Sequence, residues 1–283
     1  MVDEGFELDA YLARIGYEGP REPSLTSLRA IVAAHSAAIP FENVDVLLRR
    51  GVRLDIGSVQ RKLVRRRRGG YCFEQNTLLE AALRTLGFSL VTLVARVVRG
   101  LPESAMTPRS HELLQVDLPE GPHLADVGYG NLTPTAPLAL RPGEEQATPN
   151  EIFRLMTHGS ELVLQARLGT VWDSLYRFGP EPAPSIDYEM ANWFASTFPG
   201  SPFTSNLIVA RPSLGRRITL FNRRFAIRER SGSVTRRVLT GIDDYREALV
   251  EYFGLSLDDD ELAGIAAAMA SRSADEEVPR AFV

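Results

Sequence analysis

The hydrophobic pattern of this chain changes period once, near Gly87, and that switch limits the fold more than any other feature. Before it, apolar residues recur at helical spacing. Leu8, Tyr11, Leu12 and Ile15 share one helix face, and Ser24 to Ser27 offers N-cap residues ahead of Leu28, Ile31 and Val32. Ser58 is placed to cap a short helix over 59–66. The clearest stripe, Leu78, Leu79, Ala82, Leu83 and Leu86, predicts a helix over 73–86 that Gly87 closes. After Gly87 the chain reads as strands over 89–99, 113–118 and 124–127, with a hairpin of 162–167 and 171–178 around Gly169-Thr170. This middle region is expected to be antiparallel β, in the manner of a barrel. A Pro180/Pro182/Pro184 linker follows, then a helix over 188–198, strands within 206–240 and helices over 242–253 and 259–269. Ser271 to Glu277 reads as a mobile polar tail.

Composition removes several chemistries. The 283 residues are 44% hydrophobic and 24% charged, the balance of a globular protein, and the net charge of −4 argues against a dedicated nucleic-acid binder. The basic run Arg65–Arg68 reads as a solvated helix end. The most apolar stretch, Leu90–Ala95, is cut by Arg96, short of the roughly 18 residues a membrane helix requires. Met1–Glu4 lacks a basic, apolar leader pattern, and a lone cysteine forms no internal disulfide. A cytoplasmic location is therefore expected, with no membrane partner. Lys62 is the only lysine, so there is no Walker A loop. No dinucleotide glycine motif is present. His35, His111, His123 and His158 show no metal-ligand spacing, so no metal is expected.

The lone cysteine stands in Arg68-Gly69-Gly70-Tyr71-Cys72-Phe73-Glu74-Gln75-Asn76, with two glycines before it and the amphipathic helix just after. A sulfur at a helix N-terminus meets free N–H groups and the positive end of the dipole, which stabilise a thiolate. A buried core cysteine is the alternative. A nucleophilic cysteine needs a base, and the base an orienting group. His111 at a strand start and Asp126 at a strand end before a glycine loop can meet at one sheet rim. Taken alone, each reads first as an ordinary strand-edge or turn residue.

Beyond these local readings, the chain resembles the arylamine N-acetyltransferase family. The cysteine segment matches the family's motif along its length. Pro40-Phe41-Glu42-Asn43, Ser110-His111, Asp126-Val127-Gly128-Tyr129-Gly130, Trp172–Phe178 and Ser201-Pro202-Phe203 match in order. The resemblance implies an α+β fold with an N-terminal helical bundle (1–88), a central antiparallel β-barrel (89–187) and an interdomain helix with a C-terminal α/β lid (188–283). It implies a cysteine-protease-like core of Cys72, His111 and Asp126. Acetyl-CoA would be the co-substrate and a small-molecule amine the acceptor, with an acetyl-cysteine formed in a ping-pong cycle. Thr107, Phe194 and Gly200 are the implied CoA contacts. Phe41, Tyr71, Phe73, Ser110 and Tyr129 are expected around the acceptor. Glu112 and Tyr129 depart from the common pattern at their positions. Arg68 and Glu42, opposite charges in two motifs, are expected to pair and brace the cysteine loop. The same catalytic set also serves amide synthases that use polyketide or other acyl thioesters, the alternative reading. The papain-type cysteine signature is absent. The oligomeric state is left open.

Overall fold

The computed structural model describes residues 5–273 and 279; Met1–Glu4 and most of the polar segment Ser271–Glu277 lie outside the described residues. The first third is helical. Helix α1 (Leu8–Ile15) is followed by α2 (Leu25–Ala38), whose N-cap Ser24 accepts the Ser27 N–H at 3.2 Å. A two-residue strand β1 (Phe41–Glu42) and a short α3 (Val44–Leu47) come next. Helix α4 (Ile56–Gln60) continues into a π-helical turn over Arg61–Arg65. It starts earlier than the pattern predicts, because Asp55 and not Ser58 is its cap: Asp55 Oδ1 accepts the Ser58 N–H at 3.0 Å. Helix α5 (Cys72–Thr85) buries the predicted leucine stripe. Gly87, at φ 86°, turns the chain out of it.

Strands β2 (Ser89–Val97), β3 (Arg109–Leu118), β4 (Gly121–Ala125), β5 (Leu138–Ala139), β6 (Gln146–Ala147), β7 (Ile152–His158), β8 (Glu161–Leu168) and β9 (Val171–Phe178) form one antiparallel sheet. Its order is β5-β4-β3-β2-β9-β8-β7-β6, and it curls into a nearly closed barrel. Strands β5 to β7 lie where the pattern predicts none. Two of them have only two residues, too few to show alternation. Strand β3 has two buried faces. Leu113 points into the barrel core with Phe153, Leu164 and Tyr176, whereas Leu114 and Val116 join the helical core with Leu78 and Leu79. This parity matters, because His111 shares a face with Leu113 and Glu112 with Leu114.

The last third contains α6 (Ser185–Thr197), α7 (Pro202–Ser205), β10 (Ile208–Ser213), β11 (Arg216–Phe221), β12 (Arg224–Glu229), β13 (Val234–Val238), α8 (Ile242–Arg246) and α9 (Asp259–Met269). A π-helical turn over Glu247–Tyr252 follows α8. The second sheet runs β1-β10-β11-β12-β13, with Phe41 opposite Ala210. The segment after α2 is thus knitted into the C-terminal sheet. One face of that sheet packs Val209, Ile218, Leu220 and Phe225 under Leu249, Phe253, Leu262 and Ile265. The other brings Ile208, Ala210 and Phe221 against Phe41, Tyr71, Cys72 and Phe73. The cysteine therefore sits where the helices, the barrel and the C-terminal sheet meet.

Candidate active site

Cys72 is the first residue of α5. Just before it, Glu74 reaches back to accept the Tyr71 N–H at 3.2 Å. The loop ahead is packed too tightly for side chains: a Cβ on Gly69 would collide with the Pro40 carbonyl oxygen. The Gly70 carbonyl accepts the Glu42 N–H at 3.1 Å and the Gln75 side-chain amide at 3.2 Å. Gln75 also donates to Pro40 O at 2.9 Å and accepts from His35 Nε2 at 2.7 Å; His35 Nδ1 in turn accepts the Tyr11 hydroxyl at 2.9 Å. A chain of buried hydrogen bonds thus runs from α1 through α2 to the cysteine loop. Burial pushes His35 down to about 4, the Gln75 bond opposing this, so the ring is neutral, as the two bonds require.

The expected pair is present. Arg68 donates from Nη2 and Nε to Glu42 Oε1 at 2.9 and 3.1 Å, with both side chains buried. The basic run divides here. Arg65 and Arg66 are exposed, as a solvated helix end should be, but Arg68 is buried inside the fold.

His111 Nε2 donates to Asp126 Oδ2 at 2.8 Å, both groups buried. With Nε2 carrying the proton, Nδ1 is the basic nitrogen of the ring. Asp126 is held from three further sides. Tyr176 donates its hydroxyl at 2.9 Å, the Gly128 N–H donates at 2.9 Å and the Asn76 amide at 3.1 Å. Burial alone would raise the Asp126 carboxyl. The His111 ring and these donors outweigh it and keep the carboxyl below its usual range. Tyr176 and Asn76 are not among the residues expected at the site. Asn76 also accepts the Val127 N–H at 3.1 Å, pinning the strand end that carries Asp126.

The thiol differs from expectation. Burial pushes Cys72 well up. The Glu112 N–H pulls it down, the Glu112 and Asp126 charges push it up, and the Phe73 N–H pulls it down. Desolvation therefore opposes the helix terminus, and the sulfur lies 3.6 Å from the Ser110 carbonyl oxygen. A base is needed to ionise it. Glu112 is itself fully buried on the far face of β3, with neither carboxyl oxygen hydrogen-bonded.

Cys72 and His111 line one cavity of about 370 Å³. Of the residues expected around it, Phe41, Ser110, Tyr129, Phe194 and Gly200 line its wall, together with Gly128, Phe203 and Ile208. Tyr71 and Phe73 do not. They are buried behind it, Tyr71 meeting Phe73 and Phe203 edge-on and donating its hydroxyl to Asn192. Thr107 is also absent from the wall, next to the lining Pro108, and its hydroxyl is spent on the Val97 carbonyl at 2.9 Å. Tyr129 stands edge-on to the His111 ring at 5.3 Å. Among the described residues no cluster of His, Cys, Asp and Glu is arranged to hold a metal ion, and no helix is long and apolar enough to cross a membrane.

A buried histidine–aspartate pair sharing an aromatic-walled cavity with a cysteine at a helix start is the equipment of an acyl-transfer enzyme. Comparison with known proteins narrows this. A family profile described as N-acetyltransferase matches residues 24–262. The arylamine N-acetyltransferase of Escherichia coli K12 is 41% identical over 92% of this chain and 95% of its own. That of Mycolicibacterium smegmatis is 42% identical over 91% and 94%. The structure of Mycobacterium marinum arylamine N-acetyltransferase superposes with a TM-score of 0.89 at 39% identity, covering 93% of this chain and all of that one. A second structure of the same enzyme is a complex with CoA. The chain belongs to the arylamine N-acetyltransferase family of acyltransferases.

Proposed function

We propose that this enzyme moves the acetyl group of acetyl-CoA onto the nitrogen of an arylamine or arylhydrazine in two half-reactions, through an acetylated Cys72. Support comes chiefly from one observation: Cys72 and His111 share a cavity, and the opposite nitrogen of His111 is bonded to a buried carboxylate. In the first half-reaction His111 takes the Cys72 proton, and Asp126 stabilises the imidazolium. The sulfur attacks the acetyl carbonyl, the bond to the CoA sulfur breaks, and His111 returns the proton to the departing thiolate. In the second, the amine attacks the acetyl-cysteine, His111 takes its proton, the Cys72–carbonyl bond breaks, and the thiol is restored with an amide as product. Thioester exchange is nearly balanced, whereas amide formation from a thioester is downhill. Backbone N–H groups at Cys72 or Phe73 serve the tetrahedral oxyanion.

Phe194 and Gly200 contact CoA in this reading, with Thr107 at the margin. Phe41, Ser110 and Tyr129 hold the acceptor ring, and Tyr71 and Phe73 fix the wall from behind. The chain divides functionally as 1–88, 89–187 and 188–283. A single reduced thiol suits the cytoplasm, and CoA and a small amine are the partners. Intact-mass measurement after mixing with acetyl-CoA alone, beside Cys72→Ser, tests the core of this. One added acetyl group, absent in the variant and discharged by aniline or hydrazine, is expected. An unmodified but alkylatable Cys72 would reject acetyl-CoA as the donor.

A further inference from the structure

The Cys72 loop is tied to a residue near the far end of the chain. Glu261, in the first turn of α9 and 1% exposed, places Oε1 2.7 Å from Arg68 Nη1 and 2.6 Å from Arg50 Nη1. Its carboxylate is aimed by a main-chain donor, and the Asp258 side chain separately caps the start of α9. Glu261 Oε2 accepts the Asp258 N–H at 3.0 Å, and Asp258 Oδ1 accepts the Glu261 N–H at 2.8 Å. Arg68 is thus shared between Glu42 on β1 and Glu261 on α9, with Asp45 3.5 Å away. A second tie lies beside the first: the Ser256 N–H donates to the Arg67 carbonyl at 3.4 Å. Arg67 itself has φ 51°, the left-handed region that a bulky residue avoids unless its surroundings impose it. Gly69, Gly70, Tyr71 and Cys72 follow at once.

We infer that Glu261 is a positioning residue for Cys72: through Arg68, helix α9 sets the conformation of the loop that presents the nucleophile. The physical reason is the asymmetry of buried ion pairs. Arg50 is part-exposed and can turn to solvent, but Arg68 is buried, so losing Glu261 leaves Arg68 Nη1 without its acceptor and drives Arg68, and the loop with it, to rearrange. Arg68 has Glu42 as a second anchor, but Glu42 Oε2 already accepts the Val44 N–H at 2.6 Å and Oε1 already takes two bonds from Arg68. Glu42 therefore lacks spare capacity to replace Glu261.

This inference rests on Cys72 being the acetylated residue, and the test separates the two. Glu261→Gln is compared with the parent and with Asp258→Ala, which weakens the same helix start without touching Arg68. Rapid-quench mass spectrometry reads the rate of Cys72 acetylation against acetyl-CoA concentration. Hydrogen exchange reads the amides of residues 66–75 with no substrate present. Glu261→Gln is expected to slow the limiting acetylation rate about tenfold or more, to change half-saturation by less than about twofold, and to speed exchange in 66–75. Asp258→Ala is expected to lower the melting temperature but leave both readouts near the parent's. Should Glu261→Gln fail to fold, Glu261→Asp, which keeps the charge but withdraws it by one methylene, carries the same expectation. Parental acetylation and exchange in the Glu261 variants, or equal losses in Asp258→Ala, would overturn the inference. A parent not acetylated at all overturns the reading of Cys72 instead, and the exchange comparison still decides whether Glu261 sets the loop.

Discussion

Tyr176 donates its phenolic O–H to Asp126 Oδ2 at 2.9 Å, the same oxygen that receives His111 Nε2 at 2.8 Å. The Tyr176 and His111 rings also lie 4.8 Å apart, so one side chain both holds the carboxylate and packs the imidazole. Tyr176→Phe keeps the packing and removes the donor. A hydrogen bond to a charged group contributes about 1.5–3 kcal/mol. The acetylation rate should fall roughly tenfold, with half-saturation by acetyl-CoA unchanged. Loss of a donor to the ionised form also raises the Asp126 carboxyl, so the acid side of the pH–rate profile should move up. An unaltered rate across pH would assign Tyr176 to packing alone.

Asp126→Asn is the sharper test of the orienting role. An amide presents an N–H toward His111 Nε2 or accepts weakly, and it cannot stabilise an imidazolium. The comparable change in a serine-type triad costs on the order of 10⁴ in rate, and a loss of about 10³ or more is expected here. The Asn76 and Gly128 contacts tolerate an amide oxygen, so far-ultraviolet circular dichroism should match the parent.

Gly128 is required for space. A Cβ there would stand 2.6 Å from Cys72 Cα and 2.8 Å from Asn76 Nδ2. The first neighbour is backbone and cannot rotate away, so Gly128→Ala must displace the start of α5. A shift of about 1 Å at a reacting group can cost about 10² in rate, and overpacking costs about 1–3 kcal/mol. Stopped acetylation kinetics and a denaturation curve should show both losses together. A variant with the parent's rate would mean that the loop yields more easily than its contacts imply.

His35 sets an acid limit on stability. Its pKa is about 4 in the fold against 6.5 when unfolded. Between those values the unfolded chain binds a proton that the folded chain refuses, so stability falls as pH drops from about 6.5 to about 4. The full loss is about 3 kcal/mol. Urea denaturation of the parent and His35→Gln at pH 7 and pH 4.5 isolates this. The variant should be less stable at pH 7, having lost the Tyr11–His35–Gln75 chain, but the gap should narrow at pH 4.5. A constant gap would remove His35 as the titrating group.

Much of the site is legible because its signals are local. Gly69-Gly70 ahead of a leucine stripe marks Cys72 as a helix start, and Arg68 and Glu42 declare a pair by opposite charge in two short motifs. Tyr176 and Asn76 are a different case. Strand parity puts Tyr176 on the barrel's inner face with Phe178, but only the register of β9 against β2, with Tyr176 opposite Val97, brings it to Asp126. Strand β1 is two residues long and pairs with β10 far along the chain, so no periodicity reveals it. The surroundings of Cys72 are hidden from the local sequence for a related reason. The helix terminus is visible in the segment itself, whereas the burial that opposes it involves distant residues too, among them Ile208, Ala210 and Phe221 of the C-terminal sheet in the same cluster.

Glu112 shows a cost the fold carries beside the site. It is fully buried and neither carboxyl oxygen is hydrogen-bonded. Burial pushes its carboxyl well up and Glu80 and Asp126 push the same way; the Thr77 hydroxyl lies near it without hydrogen-bond geometry and only partly offsets them. A carboxyl whose folded pKa lies above its unfolded value stabilises relative to its ionised form only at low pH; stability is lost as pH rises from about 4.5 through the folded value. An unsatisfied buried polar group costs about 1–3 kcal/mol. Glu112→Leu, of similar length and apolar, should therefore be more stable than the parent at neutral pH, with an advantage that shrinks toward pH 4.5. Its negative charge also opposes ionisation of Cys72, so the variant should acetylate at least as fast as the parent at high pH. Thermal melts at pH 5, 7 and 8.5 with matched acetylation rates read both effects. A destabilised variant would mean that Glu112 has a partner in solution that satisfies it.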